Sequence, residues 1–318
     1  MMPTERATGP MDLDRAQVRR AFERAAATYD EAAVLQREVG QRMAERLGFV
    51  RMQPVTILDA GCGTGAALGE LHARYPDARL IGLDLAFNMT LAARDRAAAA
   101  ARSARSLLGR VLGPLAPARE LRPWCICGDI ASLPIKPASI DLIWSNLTLQ
   151  WIGDPQKSFA EFRRVLRVGG LLSFTTFGPD TLKELRAAFL SADRATHVGR
   201  FIDMHDLGDM LVHAGFADPV MDMESLTLTY ADAIGLMRDL KAIGAHNVTA
   251  GRPRALVGRS RLKRMQDAYE ALRRDDRLPA TYEVIYGASW GAAGRRAAAA
   301  IAGEARIAPG SIRRAGAP

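Results

Sequence analysis

Cysteine is scarce in this chain. Cys62, Cys125 and Cys127 are the only three in 318 residues, too few and odd in number for a fully paired disulfide framework. They fit a reducing compartment, and the cytoplasm is the expected location. No histidine or second cysteine pair sits at ligand spacing around Cys125-Ile-Cys127, so no metal site is expected. Long apolar runs are also missing. No stretch reaches the ~18 consecutive apolar residues that span a bilayer, and the first twenty residues contain no apolar segment of the kind a secretory signal needs. A membrane role is therefore not expected. The recognisable nucleic-acid modules are absent too. The net charge of +8 might argue otherwise, but its placement does not. Residues 94–122 carry seven arginines against Asp95 and Glu120, and residues 291–318 carry five against Glu304. The rest of the chain is close to neutral, and nucleic acid is not an expected partner.

What is present is ordinary globular composition, 48% hydrophobic and 25% charged, long enough for one large domain with additions. Residues 1–14 read as a flexible terminus. Apolar residues then recur at three- and four-residue steps from Val18 through Phe22, Tyr29, Leu35, Val39 and Met43 to Leu47, which predicts a helical segment over 15–50. The main domain is expected over 51–290. Val55 to Leu58 reads as a buried strand, residues 59–65 as a glycine-rich turn, Ala66–Arg74 as a helix and Leu80–Asp84 as a second strand. This is a βαβ unit with a parallel sheet. The next strand, Trp124–Cys127, begins 40 residues after Asp84, where a connection through one helix needs about 20. Residues 94–122 are therefore read as an Arg/Ala-rich insertion, helical at first. Further strands are expected at Ile140–Ser145, Leu171–Phe177, Leu226–Tyr230 and Thr281–Tyr286, with helices between them. The alternation predicts an α/β fold with one doubly wound, mainly parallel sheet. Residues 291–318 read as a basic flexible tail.

The turn Asp59-Ala-Gly-Cys-Gly-Thr-Gly65 carries the first chemistry. Gly61, Gly63 and Gly65 let backbone approach a ligand where a side chain would clash, and the helix behind them offers free N–H groups. Asp84, at the end of the next strand with Leu85 beside it, can accept both hydrogen bonds of a ribose diol. The glycine spacing departs from the dinucleotide pattern, and Asp59 would repel a pyrophosphate while suiting an ammonium group. An adenosyl ligand with an amino-acid tail fits both ends, which points to S-adenosylmethionine. No Gly-Lys-Ser/Thr follows, so a P-loop is excluded. Asp129, after the third strand, suits the exocyclic amine of adenine, with Ile130 against the ring. Alone, Asp129 also reads as a loop cap. Asn146, Gln150 and Trp151 follow the fourth strand, where ligand crevices of open α/β sheets lie. Trp151 equally suits the core.

These segments resemble the class I S-adenosylmethionine-dependent methyltransferases, whose fold is Rossmann-like with a seven-stranded sheet. The resemblance narrows further. Ala25 to Asp30, Leu58 to Gly63, Gly128 to Pro134, Trp144 to Leu147, Gln150-Trp151, Phe174 to Phe177, Met237 to Ala245 and Thr281 to Tyr286 are similar to the malonyl-[acyl-carrier protein] O-methyltransferases of biotin synthesis. The likeness covers about residues 15–290. It implies an N-terminal helical lid over 15–50, S-adenosylmethionine as cofactor, and an acidic acyl carrier protein loaded with malonyl as partner. The reaction it implies is methylation of the malonyl carboxylate, early in assembly of the pimeloyl moiety. Phe177 to Arg186, Asp206 to Leu211 and Pro279 to Tyr282 also resemble a methyltransferase-fold complex I assembly factor with arginine hydroxylase activity. A methyltransferase for another small carboxylic acid is a further alternative.

A carboxylate acceptor is already ionised at neutral pH, so no general base is needed. A cation is needed to select it. Arg200 is the candidate, against the reading of an exposed loop arginine. Tyr29 is the candidate for closing over the methionine tail or touching the acceptor, against ordinary packing on its helix. The histidines read as structural or surface groups. The basic helix Arg259–Leu272 is a docking face for an acidic carrier or simply a solvated face. Few aromatics lie on it, so a membrane-surface helix is a weaker reading.

Overall fold

The computed structural model describes residues 13–111, 121–193, 195–245, 247–249 and 258–293. The expected terminus up to residue 12, residues 112–120 of the Arg/Ala-rich segment and the tail from 294 lie outside the described residues.

Three helices precede the sheet: α1 (Arg15–Ala25), α2 (Tyr29–Ala32) and α3 (Val34–Leu47). Asp14 caps α1 by accepting from the Gln17 N–H at 3.1 Å. The expected βαβ unit follows as β1 (Thr56–Ala60), α4 (Ala66–Arg74) and β2 (Arg79–Asp84). Ile57, Leu58, Leu80 and Leu83 are buried, as a strand covered on both faces requires. Helix α5 (Phe87–Val111) leads to β3 (Trp124–Cys127). Then come β4 (Ile140–Ser145), a 3₁₀ turn at Leu149–Trp151, α6 (Pro155–Val165), β5 (Leu166–Phe177), α7 (Lys183–Ala192) and α8 (Met204–His213). The chain closes with β6 (Phe216–Tyr230), α9 (Ala233–Ala242), α10 (Arg259–Glu270) and β7 (Leu278–Gly291).

The seven strands form one sheet in the order β3-β2-β1-β4-β5-β7-β6. β1 to β5 are mutually parallel, and β7 runs antiparallel between β5 and β6. The order reverses between β1 and β4, where the carboxyl ends diverge and a crevice opens. Two apolar layers cover the sheet. One gathers Met43, Leu68, Leu185, Met265 and Tyr269 from α3, α4, α7 and α10. The other gathers Phe159, Phe162, Leu207 and Leu211 from α6 and α8. This is the Rossmann-like architecture of class I methyltransferases.

β5 and β7 extend beyond the strands expected for them, and two further differences are larger. β6 is three times the length expected for its strand, because its first half alternates around Asp218, Pro219, Asp222 and Glu224 at the sheet's edge. Edge strands tolerate proline and charge, which hide their apolar signal. The segment 94–122 is also not separate from the fold throughout. α5 continues through its first residues, Ala97 is buried, and Arg96 forms an ion pair with Asp30 of α2.

Candidate active site

One cavity of about 220 Å³ opens at the carboxyl ends of β1, β2 and β4 and runs beneath α1 and α2. Of the residues singled out from sequence, Tyr29, Gly61, Gly63, Asp84, Leu85, Asp129, Ile130, Asn146 and Arg200 all line it. Asp59 and Gly65 do not.

The glycine turn folds back under β2, with the Gly61 and Cys62 N–H groups both donating to Leu83 O at 2.7 and 3.0 Å. Gly61 has φ +88°, and a Cβ there would lie 2.2 Å from Thr148 Oγ1. Gly65 has φ +79° and starts α4, and a Cβ there would lie 2.8 Å from Ala93. Gly65 does not line the cavity, and its lack of a side chain serves the turn and the approach of α4 to α5.

Asp59 lies beneath this turn, 2% exposed, and its Oδ2 has no hydrogen-bond partner. Burial, and then the Asp84 charge, push its pKa up to about 8. It is an unpartnered carboxyl beneath the glycine turn rather than part of the cavity wall. Asp84 accepts from Gly63 N–H on Oδ2 (3.0 Å) and Ala86 N–H on Oδ1 (2.8 Å). Each oxygen keeps a lone pair directed elsewhere. Burial outweighs these bonds and raises its pKa to about 6.

Asp129 accepts from Ala131 N–H and forms a 2.6 Å ion pair with Arg15 of α1. Arg15 is 68% exposed, so the pair is weak. Ile130 is buried in the wall beside it. Tyr29 comes down from α2, with a ring carbon 3.9 Å from where a Gly63 Cβ would stand. Burial, then the charges of Asp84 and Asp30, push its hydroxyl pKa upward, so it stays neutral at physiological pH.

Asn146 has both ends of its amide engaged. Nδ2 donates to Gln36 O at 2.9 Å, and Oδ1 accepts from Thr175 Oγ1 at 2.7 Å. It lines the cavity mainly as the bolt that fixes α3 to the sheet. Gln150 is similarly held, donating to Leu147 O at 2.7 Å. Trp151 meets Phe22 of α1 edge-on at 5.3 Å and closes the wall. Leu147 and Leu182, both lining the cavity, have φ of +47° and +54°. Such backbone costs on the order of 1–3 kcal/mol and clusters at ligand sites.

The far end of the cavity was not legible from motifs. Phe177, Leu182, Leu185, Phe201, Leu228 and Leu240 make it apolar, with Tyr230 and Tyr282 among them. His197 also lines it, and its contacts give it the structural role read from the sequence. Its Nε2 lies 2.8 Å from Asp193 Oδ1, and its ring stacks on Phe189 at 3.9 Å. Arg200 enters here and makes no hydrogen bond or ion pair among the described residues. Arg194, His246 and Arg252 lie outside the described residues. No cluster of three or more metal-ligating side chains occurs among the described residues. No described helix is long and apolar enough to cross a membrane.

Residues 58–174 match the family model "Methyltransferase domain". Proteins curated as malonyl-[acyl-carrier protein] O-methyltransferase align along most of the chain. The one from Laribacter hongkongensis is 56% identical over 89% of this chain and 91% of its own length. That from Methylovorus sp. is 53% identical over 87% and 89%, and that from Halorhodospira halophila 44% identical over 95% and 96%. The chain belongs to the malonyl-[acyl-carrier protein] O-methyltransferase family. This decides between the two family resemblances in the sequence and makes the protein a methyltransferase. Among solved structures, the YcgJ protein of Bacillus subtilis superposes with a TM-score of 0.51 at 16% identity, over 80% of this chain and 99% of that one. A Bacillus halodurans protein gives 0.51 at 14% identity, over 80% and 100%. At such identities the likeness concerns the fold alone. In this methyltransferase family member, then, the cavity joins a glycine turn flanked by acids to an apolar end where Arg200 is, among the described residues, without an ion pair.

Proposed function

We propose that this enzyme transfers the methyl group of S-adenosylmethionine to the free carboxylate of a malonyl-acyl-carrier-protein thioester, giving the methyl ester, an early step of biotin biosynthesis. The observation that carries this reading is the pairing of the two cavity ends. One end suits an adenosyl ligand with an ammonium tail, and the other offers Arg200 to an anion.

The residues present fit S-adenosylmethionine. Asp84 has a free lone pair on each oxygen for the two ribose hydroxyls. The orphaned Asp59 Oδ2 is an unmet acceptor beside Gly61 and Gly63, and a ligand ammonium would supply its missing charge. Asp129 can accept the adenine amine once Arg15 yields, with Ile130 against the ring. When bound, S-adenosylmethionine supplies an electrophilic methyl group. Arg200 selects a carboxylate over a neutral acyl group, and its exposed position keeps the pairing from quenching the nucleophile. Tyr29, neutral over Gly63, closes the cofactor end. The apolar walls exclude water and hold oxygen and methyl in line. No side chain has to remove a proton, because the acceptor is ionised already.

The carrier partner follows from the relatives' name together with α10. Arg259 and Lys263 are exposed on this helix, and its Arg264 and Arg261 reach Ala192 and Asp193, where the chain enters the cavity wall. A basic face at the end of α7, which leads into the loop carrying His197 and Arg200, suits an acidic carrier.

The test is label transfer from S-adenosylmethionine to malonyl-, succinyl- and acetyl-loaded carrier. Malonyl carrier is expected to be methylated and acetyl carrier not. Arg200→Ala should lower the rate on malonyl carrier by ~10² (about 2.7 kcal/mol) and leave cofactor affinity unchanged by calorimetry. Full activity in that variant would remove Arg200 from the site.

A further inference from the structure

Arg186 of α7 is a cation with an unusual set of partners. Its guanidinium is partly buried and meets only neutral carbonyls: Nη1 donates to Pro179 O at 2.9 Å, and Nη2 to Thr181 O at 3.1 Å and Gly199 O at 3.5 Å. The Asp180 carboxylate is paired with Lys183 at 2.9 Å and acts on Arg186 only through space. Burial lowers the Arg186 pKa, so the fold bears a desolvation cost for this charge. A hydrophobic residue of similar volume would fill the space at less cost. What it would not do is tie three carbonyls together, which only the forked guanidinium can.

Those carbonyls belong to two cavity-lining segments far apart in sequence. Pro179 and Thr181 lie in the turn that delivers Leu182 and Leu185, and Gly199 lies in the loop that delivers Arg200 and Phe201. The loop has a second tie, through His197 to Asp193 and Phe189 at the other end of α7. Gly199 carries no side chain of its own to hold it, and nothing lies within 4 Å of where its Cβ would be. Without Arg186, the loop keeps its ties through His197, through Asn247 Nδ2 to Thr196 O and through the edge-on contact of Phe201 with Phe177, but the Gly199 carbonyl loses its link to the 179–181 turn.

We propose that Arg186 is a positioning residue for the acceptor: by holding the Gly199 carbonyl against the 179–181 turn, it fixes the direction from which Arg200 enters the cavity. This rests on the reading of Arg200 as the partner of the acceptor carboxylate. The bond to Gly199 is the longest of the three, so its loss reads as a weakened site rather than a dead one.

The test uses Arg186→Met and Arg186→Lys in the full chain, with malonyl-loaded carrier. Both variants should raise KM for the carrier, Met by about 10-fold and Lys by less, with kcat within about 3-fold and S-adenosylmethionine affinity unchanged. The decisive measurement is a double-mutant cycle with Arg200→Ala. If Arg186 acts through Arg200, adding Arg186→Met to Arg200→Ala should change kcat/KM by less than 2-fold. A full additive loss in the double variant would overturn the proposal, because Arg186 would then serve the fold at large. An unchanged KM in Arg186→Lys would also overturn it, even if Arg186→Met failed to fold. Wild-type activity in Arg200→Ala alone would instead overturn the reading of Arg200 on which the proposal rests.

Discussion

At the scale of single residues, the proposed role of Asp59 beside a ligand ammonium predicts proton release on binding. Its folded pKa of about 8 stands above the ordinary carboxylate value near 4. Between those values the unfolded chain has lost a proton that the folded chain keeps. Asp59 therefore costs stability progressively as pH rises from about 4 to 8, and the cost is constant above that. Asp59→Asn should remove it, raising stability at pH 8 by about 1–3 kcal/mol, the size of an unpaired buried polar group, as measured by denaturant unfolding. The same substitution should weaken S-adenosylmethionine, because the ammonium loses its counter-charge. In the wild type at pH 7, Asp59 is protonated in the free protein and ionised beside the ammonium. Asp84, at about 6, is mostly ionised already. Calorimetry in buffers of different ionisation enthalpy should show a proton released on binding at pH 7, fading at pH 9 and absent in Asp59→Asn. No release at pH 7 would mean the ammonium sits elsewhere.

At the scale of elements, the N-terminal helices divide into a fixed part and a latch. α3 is bolted to the sheet: Arg42 pairs with Glu224 at 2.6 Å, Arg46 with Asp222 at 2.7 Å, the Arg46 guanidinium lies 3.7 Å over the Tyr286 ring, and Asn146 holds Gln36. α1 and α2 have a smaller apolar contact, Ala25 and Phe22 against Ala86, Met89 and Trp151, and add polar contacts around the cavity. Glu23 accepts from the Phe87 and Asn88 N–H groups at 2.8 and 2.9 Å and so caps α5 from outside. Asp30 accepts from Thr64 Oγ1 at 2.6 Å, and Leu13 bridges to Thr249. These helices cover the cavity, and if they act as the lid proposed for 15–50, their contacts set the cofactor's exit rate. Glu23→Ala should cost about 1 kcal/mol of cap stabilisation, raise hydrogen exchange in residues 15–33 but not in 34–47, and speed cofactor dissociation several-fold in stopped-flow. Equal protection in both variants would show that Glu23 does not secure the latch. Helix, strand and turn were legible here wherever a motif was contiguous: the glycine turn, Asp84 and Asp129 each sit at a strand end that periodicity alone locates. The first half of β6 was not, because Pro219 and three acids on an edge strand mask the alternation. The packing role of Gly65 was hidden for a related reason. In sequence it is the third glycine of a binding turn, and only the nearness of Ala93 reveals that it serves helix packing.

At the scale of the whole molecule, the two ends of the cavity were unequally legible because they are built differently. The cofactor end comes from consecutive strand termini. The acceptor end is assembled from residues 177–185, 197–201 and 228–249, whose spacing is set by packing and carries no pattern. His197, Tyr230 and Tyr282 could be found there only in three dimensions. Charge shows the same contrast. The strongly basic 94–122 and 291–318 segments drew attention in sequence, whereas α10 is a basic helix packed on the end of α7, tied there to Ala192 and Asp193. Arg261 and Arg264 of that helix are spent on Asp193 and Ala192 O. Arg259 and Lys263, one helical turn apart, have no ion pair among the described residues and face solvent. If α10 receives the acidic carrier, reversing both to Glu should raise KM for malonyl-loaded carrier by about 10-fold or more through slower association. It should leave kcat and the KM for malonyl-coenzyme A, which needs no docking face, unchanged. The wild-type KM for carrier should also climb steeply with salt, and that slope should flatten in the double reversal. An unchanged carrier KM would make α10 a solvated face and return the docking role to the other basic segments, where deletion of residues 103–120 would be the next measurement.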